Sequence, residues 1–142
     1  MNKILIAGIA GGVIFFLLGW LVYGIILMDF MSENSGVPAA LQKKMPDMLP
    51  LAIANLAWGF LFALVLGKWS ADLTVGQGAT RGALLALLVA LFLDLSMYAT
   101  TTMFTVSSLV ADVIAMTVIG ALGGAAITWI LNMRTNNVLI RD

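Results

Sequence analysis

Four long apolar runs dominate this sequence, and each is long enough to cross a membrane as an α-helix. A hydrocarbon core about 30 Å thick needs roughly 20 consecutive apolar residues at a rise of about 1.5 Å per residue. We therefore predict an all-α polytopic membrane protein, in which residues 1–142 form one domain built as a bundle of four transmembrane helices. The predicted helices cover residues 4–28, 48–69, 81–100 and 106–131, and a polar tail covers residues 132–142.

The composition supports this class and excludes several kinds of chemistry. Hydrophobic residues make up 62% of the chain and charged residues only 10%, whereas a soluble domain usually carries about 25% charged residues. There is no cysteine and no histidine, which excludes disulfides, thiolate nucleophiles and the usual general base at neutral pH. We predict a protein without enzymatic activity, without a cofactor or metal site and, at zero formal net charge, without a nucleic-acid partner.

The basic residues predict the orientation in the membrane. Four spans place both termini on one side, and the basic residues expected on that side outnumber those expected on the other. The positive-inside rule therefore predicts cytoplasmic termini, in the inner (plasma) membrane of a bacterium. The basic residues expected on the side of the termini are Lys3, Lys68, Arg81, Arg134 and Arg141, and those expected on the other side are Lys43 and Lys44.

Glycines recur at close-packing intervals in three of the predicted helices. Residues without a side chain let helix backbones approach closely, and a spacing of four places them on one face. We expect these glycines to pack helices together, either within the chain or with a second copy or another membrane subunit. They are Gly8, Gly12, Gly19, Gly82, Gly120 and Gly124.

Two carboxylates lie inside the third and fourth predicted helices. Asp94 and Asp112 are equally spaced about Met103, so a helical hairpin would set them at the same depth. A charged carboxylate at the centre of a span costs about 2.5–3.5 kcal/mol, so both groups require a compensating interaction. Three kinds of compensating interaction remain open: hydrogen bonds that fix helix register, a small pocket for a proton, cation or polar ligand, and a contact with another subunit.

Other polar or aromatic groups fall in the same half of the predicted spans. Asn55 is the only amide in the second span, and it either hydrogen-bonds between helices or lines the pocket. Tyr23 belongs either to an interfacial aromatic belt or to the bundle interior. Tyr98 continues a stripe of residues spaced by four that begins at Gly82. The candidate ligand- or proton-binding residues are therefore Asp94, Asp112, Asn55, Tyr98 and Tyr23.

The layout resembles a known family. Gly19-Trp20 with Tyr23-Gly24 in the first helix, Lys68-Trp69 at the end of the second, and the late helical hairpin resemble the small bacterial four-helix membrane proteins of domain of unknown function 1761. The resemblance implies a four-helix membrane fold and no assigned activity. Our leading expectation is a structural or accessory component that packs with itself or with other subunits in the lipid bilayer. The alternative is a small transporter or ligand-binding protein that uses Asp94 and Asp112.

Overall fold

The computed structural model describes residues 2–43, 45–69 and 73–139. Within these residues the chain forms five α-helices. A π-helical turn, Val22–Ile26, continues the first helix, and a single 3-10 turn, Ala39–Leu41, lies between the second and third. The helices are α1 (Asn2–Leu21), α2 (Met28–Glu33), α3 (Met48–Trp69), α4 (Val75–Thr100) and α5 (Val106–Leu139).

Four segments of the described chain are long and apolar enough to span a membrane. The prediction of an all-α multi-pass protein with four transmembrane helices is therefore confirmed. The segments are Lys3–Ile26, Met48–Lys68, Val75–Thr100 and Val106–Met133.

The two ends of the bundle differ in how their connections are held. We call the end with residues 27–47 and 101–105 the tip end, and the end with residues 73–74 the base end. At the base end, the Asn132 side-chain amide donates to the Leu73 carbonyl at 2.9 Å. This bond joins the end of the span in α5 to the residues just before α4.

Small residues set the contacts between helices. α4 packs along α5, and α1 packs along α3, while α1 and α5 provide the main contact between the two pairs. A Cβ added to Gly82 would overlap the Gly120 carbonyl oxygen, and one added to Gly59 would overlap the backbone at Gly8 and Gly12. At both interfaces, α4–α5 and α1–α3, backbone therefore packs against backbone, as the glycine spacing predicted. We call the first of these interfaces the α4–α5 seam.

Three aromatic rings fill the centre of the bundle. Phe15 lies 4.7 Å from Phe62 between ring centroids, and Trp58 lies 5.2 Å from Phe62. Phe15 and Phe62 are fully buried, and the edge of Phe15 rests where Gly123 of α5 has no side chain. We call Phe15, Trp58 and Phe62 the aromatic cluster.

The outer surface of the spans is apolar. In α1, large aliphatic side chains spaced by four are about half exposed, and α4 and α5 carry comparable exposed rows. A soluble bundle would place charged residues on this face, so its apolar character fits contact with lipid. The α1 row consists of Leu5, Ile9, Val13 and Leu17.

The predicted start of the third span is wrong by six residues. The predicted helices left residues 70–80 as a connection, of which 70–72 lie outside the described residues, but α4 begins at Val75. Thr74 caps it: Gln77 N donates to Thr74 Oγ1 at 3.2 Å, and Thr74 N donates to Gln77 Oε1 at 3.0 Å. This capping box is visible in the sequence, but Gly76 and Gly78 suggested a turn instead.

Two further boundaries differ from prediction. The first span ends at Ile26 rather than at residue 28, and α5 continues as a helix to Leu139, where a polar tail was expected. No heavy atom lies within 4 Å of a Cβ placed on Gly19, so within the described chain this glycine makes no close helix contact, and its contact with a second copy or another subunit stays a prediction.

Candidate functional site

The small-residue stripe of α4 runs down the α4–α5 seam to a carboxylate. Gly82, Ala86, Ala90 and Asp94 are all buried, as their spacing predicted. Asp94 is 6% exposed although it lies within a span. Gly82, Ala86 and Ala90 have almost no side chain, so the two helices lie close together along this stripe. Asp94 is the one larger, polar side chain in it.

The matching stripe of α5 faces the same interior. Ser108, Ala115, Ile119 and Gly123 are buried, and Asp112 between them is partly buried. Asp112 lies six residues after the start of α5, and Asp94 lies six residues before the end of α4. The two carboxylates therefore lie at the same depth, about 9 Å below the helix ends at about 1.5 Å per residue.

Asp94 and Asp112 interact directly across the seam. The two carboxyl groups are near enough for their charges to interact. Two ionised carboxylates at this separation repel each other strongly in a low-dielectric interior. The arrangement therefore favours a state in which a positive charge, either a proton or a small cation, lies between them.

Tyr23, at the end of the first span, adds a third polar group near the pair. Its hydroxyl is near enough to Asp112 and Asp94 for their charges to act on it. Tyr23 lies within the π-helical turn, which Leu27 N closes by donating to Val22 O at 2.7 Å. π-Helical turns inside α-helices are rare and occur frequently at functional sites. We call Asp94, Asp112 and Tyr23 the polar triad.

Two oxygen atoms of the triad are buried without a hydrogen-bond partner among the described residues. These are Tyr23 Oη and Asp94 Oδ2. A third such atom, Thr128 Oγ1, packs against Gly78 on the base side of the seam and is not part of the triad. Buried polar atoms usually have partners, so two unpartnered oxygens at one place are an exception that a bound proton or ion would resolve.

Among the described residues, no basic side chain lies within a span at the depth of the triad. Arg81 lies thirteen residues from Asp94 along α4, about 20 Å away at about 1.5 Å per residue. At the tip end, the exposed Lys43 forms an ion pair with Asp47 outside the spans.

The structure does not bring Asn55 or Tyr98 into the triad. The Asn55 amide donates to the Leu51 carbonyl of its own helix at 2.8 Å, so it is satisfied without a neighbouring helix. Tyr98 is 45% exposed. Residues spaced by four drift by about 40° per step around an α-helix, so Tyr98 has rotated out of a seam that still holds Asp94.

Thr105 and Ser108 complete the tip side of the site, a role that the sequence interpretation did not give them. Thr105 N donates to Ser108 Oγ at 2.9 Å, and Ser108 N donates to Thr105 Oγ1 at 3.2 Å. This reciprocal cap starts α5 nearly two turns before Asp112. The signal was present in the Thr-x-x-Ser spacing before an apolar run.

The donor set is too small for a cluster of metal ligands. The described part of the chain contains no group of three or more Asp, Glu, His or Cys residues able to hold a metal ion together. Two carboxylates and a phenol suit a proton or a weakly bound monovalent cation better than a transition metal.

Comparisons with known proteins do not assign the chain to a family. No family model matches it, and neither a curated protein nor a solved structure matches it significantly. The resemblance to domain of unknown function 1761 therefore stays a prediction, and function has to be inferred from the site itself.

Proposed function

We propose that this multi-pass membrane protein reversibly binds a proton or a small monovalent cation between Asp94 and Asp112. The observation that carries the proposal is the buried Asp94 carboxylate, which faces a second carboxylate and has one oxygen without a partner among the described residues. An ionised carboxylate in such a place is unfavourable unless a positive charge joins it. A bound proton or cation supplies that charge.

The same observations weigh against a purely structural role and against a subunit contact for the two carboxylates. A structural role requires hydrogen bonds that fix helix register, yet Asp94 Oδ2 has none with the described residues, and Asn55 and Ser108 bond elsewhere. A contact with another subunit requires exposure, and Asp94 is buried inside its own chain. Binding of a positively charged species accounts for both features.

We place the triad in the outer half of the membrane. The basic residues near the base end, Lys3, Lys68 and Arg81, favour a cytoplasmic base end, and the termini would then also be cytoplasmic. The tip end would face the exterior of the inner membrane, and ligand would enter from that side. The protein would act as a transporter component or a ligand-responsive membrane protein rather than as an enzyme.

A structural or accessory subunit is the second candidate, and the exposed apolar rows support it because they could contact another membrane protein. The glycine pairs do not favour it. Gly8 and Gly12 pack against α3, and Gly82, Gly120 and Gly124 pack within the α4–α5 seam. These residues therefore offer no free small-residue face for a partner.

Infrared difference spectroscopy during a pH titration of the purified protein tests the proposal, and repeating it with sodium or potassium separates proton from cation binding. We expect a carboxyl band that titrates or responds to the cation, and that is lost in Asp94→Asn with Asp112→Asn while the helical content is retained. Asp47→Asn, at an exposed carboxylate, is the matched control and should keep the band. A wild-type protein without such a band would refute the proposal.

The mass of the intact assembly separates the two candidates. A monomer or homo-oligomer whose band depends on Asp94 and Asp112 favours the binding function. Co-purification with other subunits at fixed stoichiometry, together with an unresponsive band, favours the accessory function.

A further inference from the structure

Two loops are joined at the tip end by a short antiparallel contact. Ser35 and Phe104 oppose each other in an isolated bridge, and Gly36 N donates to Met103 O at 3.1 Å. Thr105 Oγ1 donates to the Asn34 carbonyl at 2.7 Å. We call residues 34–36 and 102–105 the clasp.

The clasp requires a glycine. A Cβ on Gly36 would overlap the Thr102 carbonyl oxygen. Gly36 does not have a positive φ, so close approach of the two backbones, rather than an unusual backbone conformation, accounts for the glycine. The two loops are therefore in direct backbone contact.

The clasp joins the two parts of the chain that carry the polar triad. Residues 102–105 form the turn between α4, which carries Asp94, and α5, which carries Asp112. Residues 34–36 follow the π-helical turn and α2, so they are linked to the segment that carries Tyr23. Closing the clasp holds these two parts together above the triad.

One face of α5 leads from the clasp to the carboxylates. Thr105 bonds to Asn34 across the clasp and to Ser108 within the cap, and the buried Ser108 lies one turn above Asp112. The helix ends next to the clasp lie six residues beyond each carboxylate, or about 9 Å. It therefore stands between the triad and the solution on the tip side.

The opposite route is closed by close packing. On the base side of the triad lie the aromatic cluster and the backbone contact of Gly82 with Gly120. Phe15, Phe62, Gly82 and Gly120 are buried, and opening these contacts would separate helices along their length. The clasp, in contrast, consists of a few hydrogen bonds between loops and is the easier barrier to open.

We propose that the clasp is the gate through which the proton or cation exchanges between the polar triad and the tip-side solution. This inference rests on the proposed function, because it describes access to the same site. The structure shows the closed gate. Opening breaks the Gly36–Met103 and Thr105–Asn34 hydrogen bonds, separates the loops and exposes the carboxylates, without separating α4 from α5 at Gly82.

A reversible crosslink tests the gate, since the chain has no cysteine of its own. Ser35→Cys with Phe104→Cys places two thiols at opposing positions of the bridge, where Cα separations are of the order that a disulfide accepts, about 4.4–6.8 Å. The measurement is the rate at which the carboxyl band responds to a jump in pH or cation concentration. Each single variant and the reduced double variant serve as controls.

We expect oxidation to slow the response by about tenfold or more, since exchange then has to occur through a closed gate, and reduction to restore the rate. Gly36→Ala should have the opposite effect, because its Cβ forces the loops apart and speeds exchange. An oxidised variant that responds as fast as its reduced form would overturn the gate and leave the binding function intact. A missing band in the wild type would instead reject the binding function.

Discussion

Substitution of Gly82 by alanine gives a direct test of the α4–α5 seam. The added Cβ would overlap the Gly120 carbonyl oxygen and lie 2.9 Å from Gly124 Cα. Both are backbone atoms, so relief requires the two helices to move apart. Overpacking of this kind costs about 1–3 kcal/mol. Replacing a helical glycine by alanine also stabilises the fold by about 0.5–1 kcal/mol, because alanine loses less backbone entropy on folding.

Gly19→Ala provides the matched control, since it adds the same atom in a helix where nothing lies within 4 Å. In Gly19→Ala the free energy of unfolding should therefore rise only by the contribution of backbone entropy. The difference between the two variants therefore isolates the overlap, and we expect Gly82→Ala to be less stable than Gly19→Ala by about 1–3 kcal/mol.

Reversible unfolding in mixed micelles, followed by circular dichroism as the denaturing detergent is increased, measures the free energies of unfolding of both variants and the wild type. If Gly82→Ala and Gly19→Ala unfold at the same free energy, backbone contact at Gly82 does not limit the packing of α4 on α5. The proposed closure of the base-side route would then lose one of its two barriers.

The same titration checks two more contacts. Phe62→Ala should cost about 3–5 kcal/mol, because it opens a cavity in the aromatic cluster, whereas Leu88→Ala on the exposed face should change stability by less than about 1 kcal/mol; equal losses would contradict the assignment of interior and lipid faces. Asn132→Ala should cost about 0.5–1.5 kcal/mol by removing the bond to the Leu73 carbonyl, and an unchanged free energy would mean that this bond does not stabilise the base end.

Local signals in the sequence located part of the candidate site and misplaced the rest. Asp94 and Asp112 stand out by their equal spacing about a turn, and their depth depends only on helical rise, which is the same in every helix. Tyr98 follows Asp94 by four residues and was expected beside it, but drift around the helix carries it out of the seam. Asn55 was expected there as a polar residue within a span, but it is satisfied by its own helix.

The clasp could not have been predicted from the sequence. Ser35 and Phe104 are far apart along the chain, and neither residue type indicates a partner. Gly36 follows Asn34 and Ser35, a sequence that indicates a turn and gives no reason to expect a backbone neighbour at Thr102. Contacts between distant loops depend on how helices are arranged, and that arrangement has no local signature.

The fold class and the four spans follow from the order of residues alone, because membrane thickness and helical rise convert the length of an apolar run into a transmembrane helix without reference to other residues. The buried stripes of α4 and α5 follow in the same way, since small residues at regular spacing mark a close-packed face. Which polar groups meet depends instead on the packed bundle. Tyr23 joins Asp94 and Asp112 because α1 packs against α5 and ends in a π-helical turn, and the rotation of one helix against another is fixed only when all of them pack together.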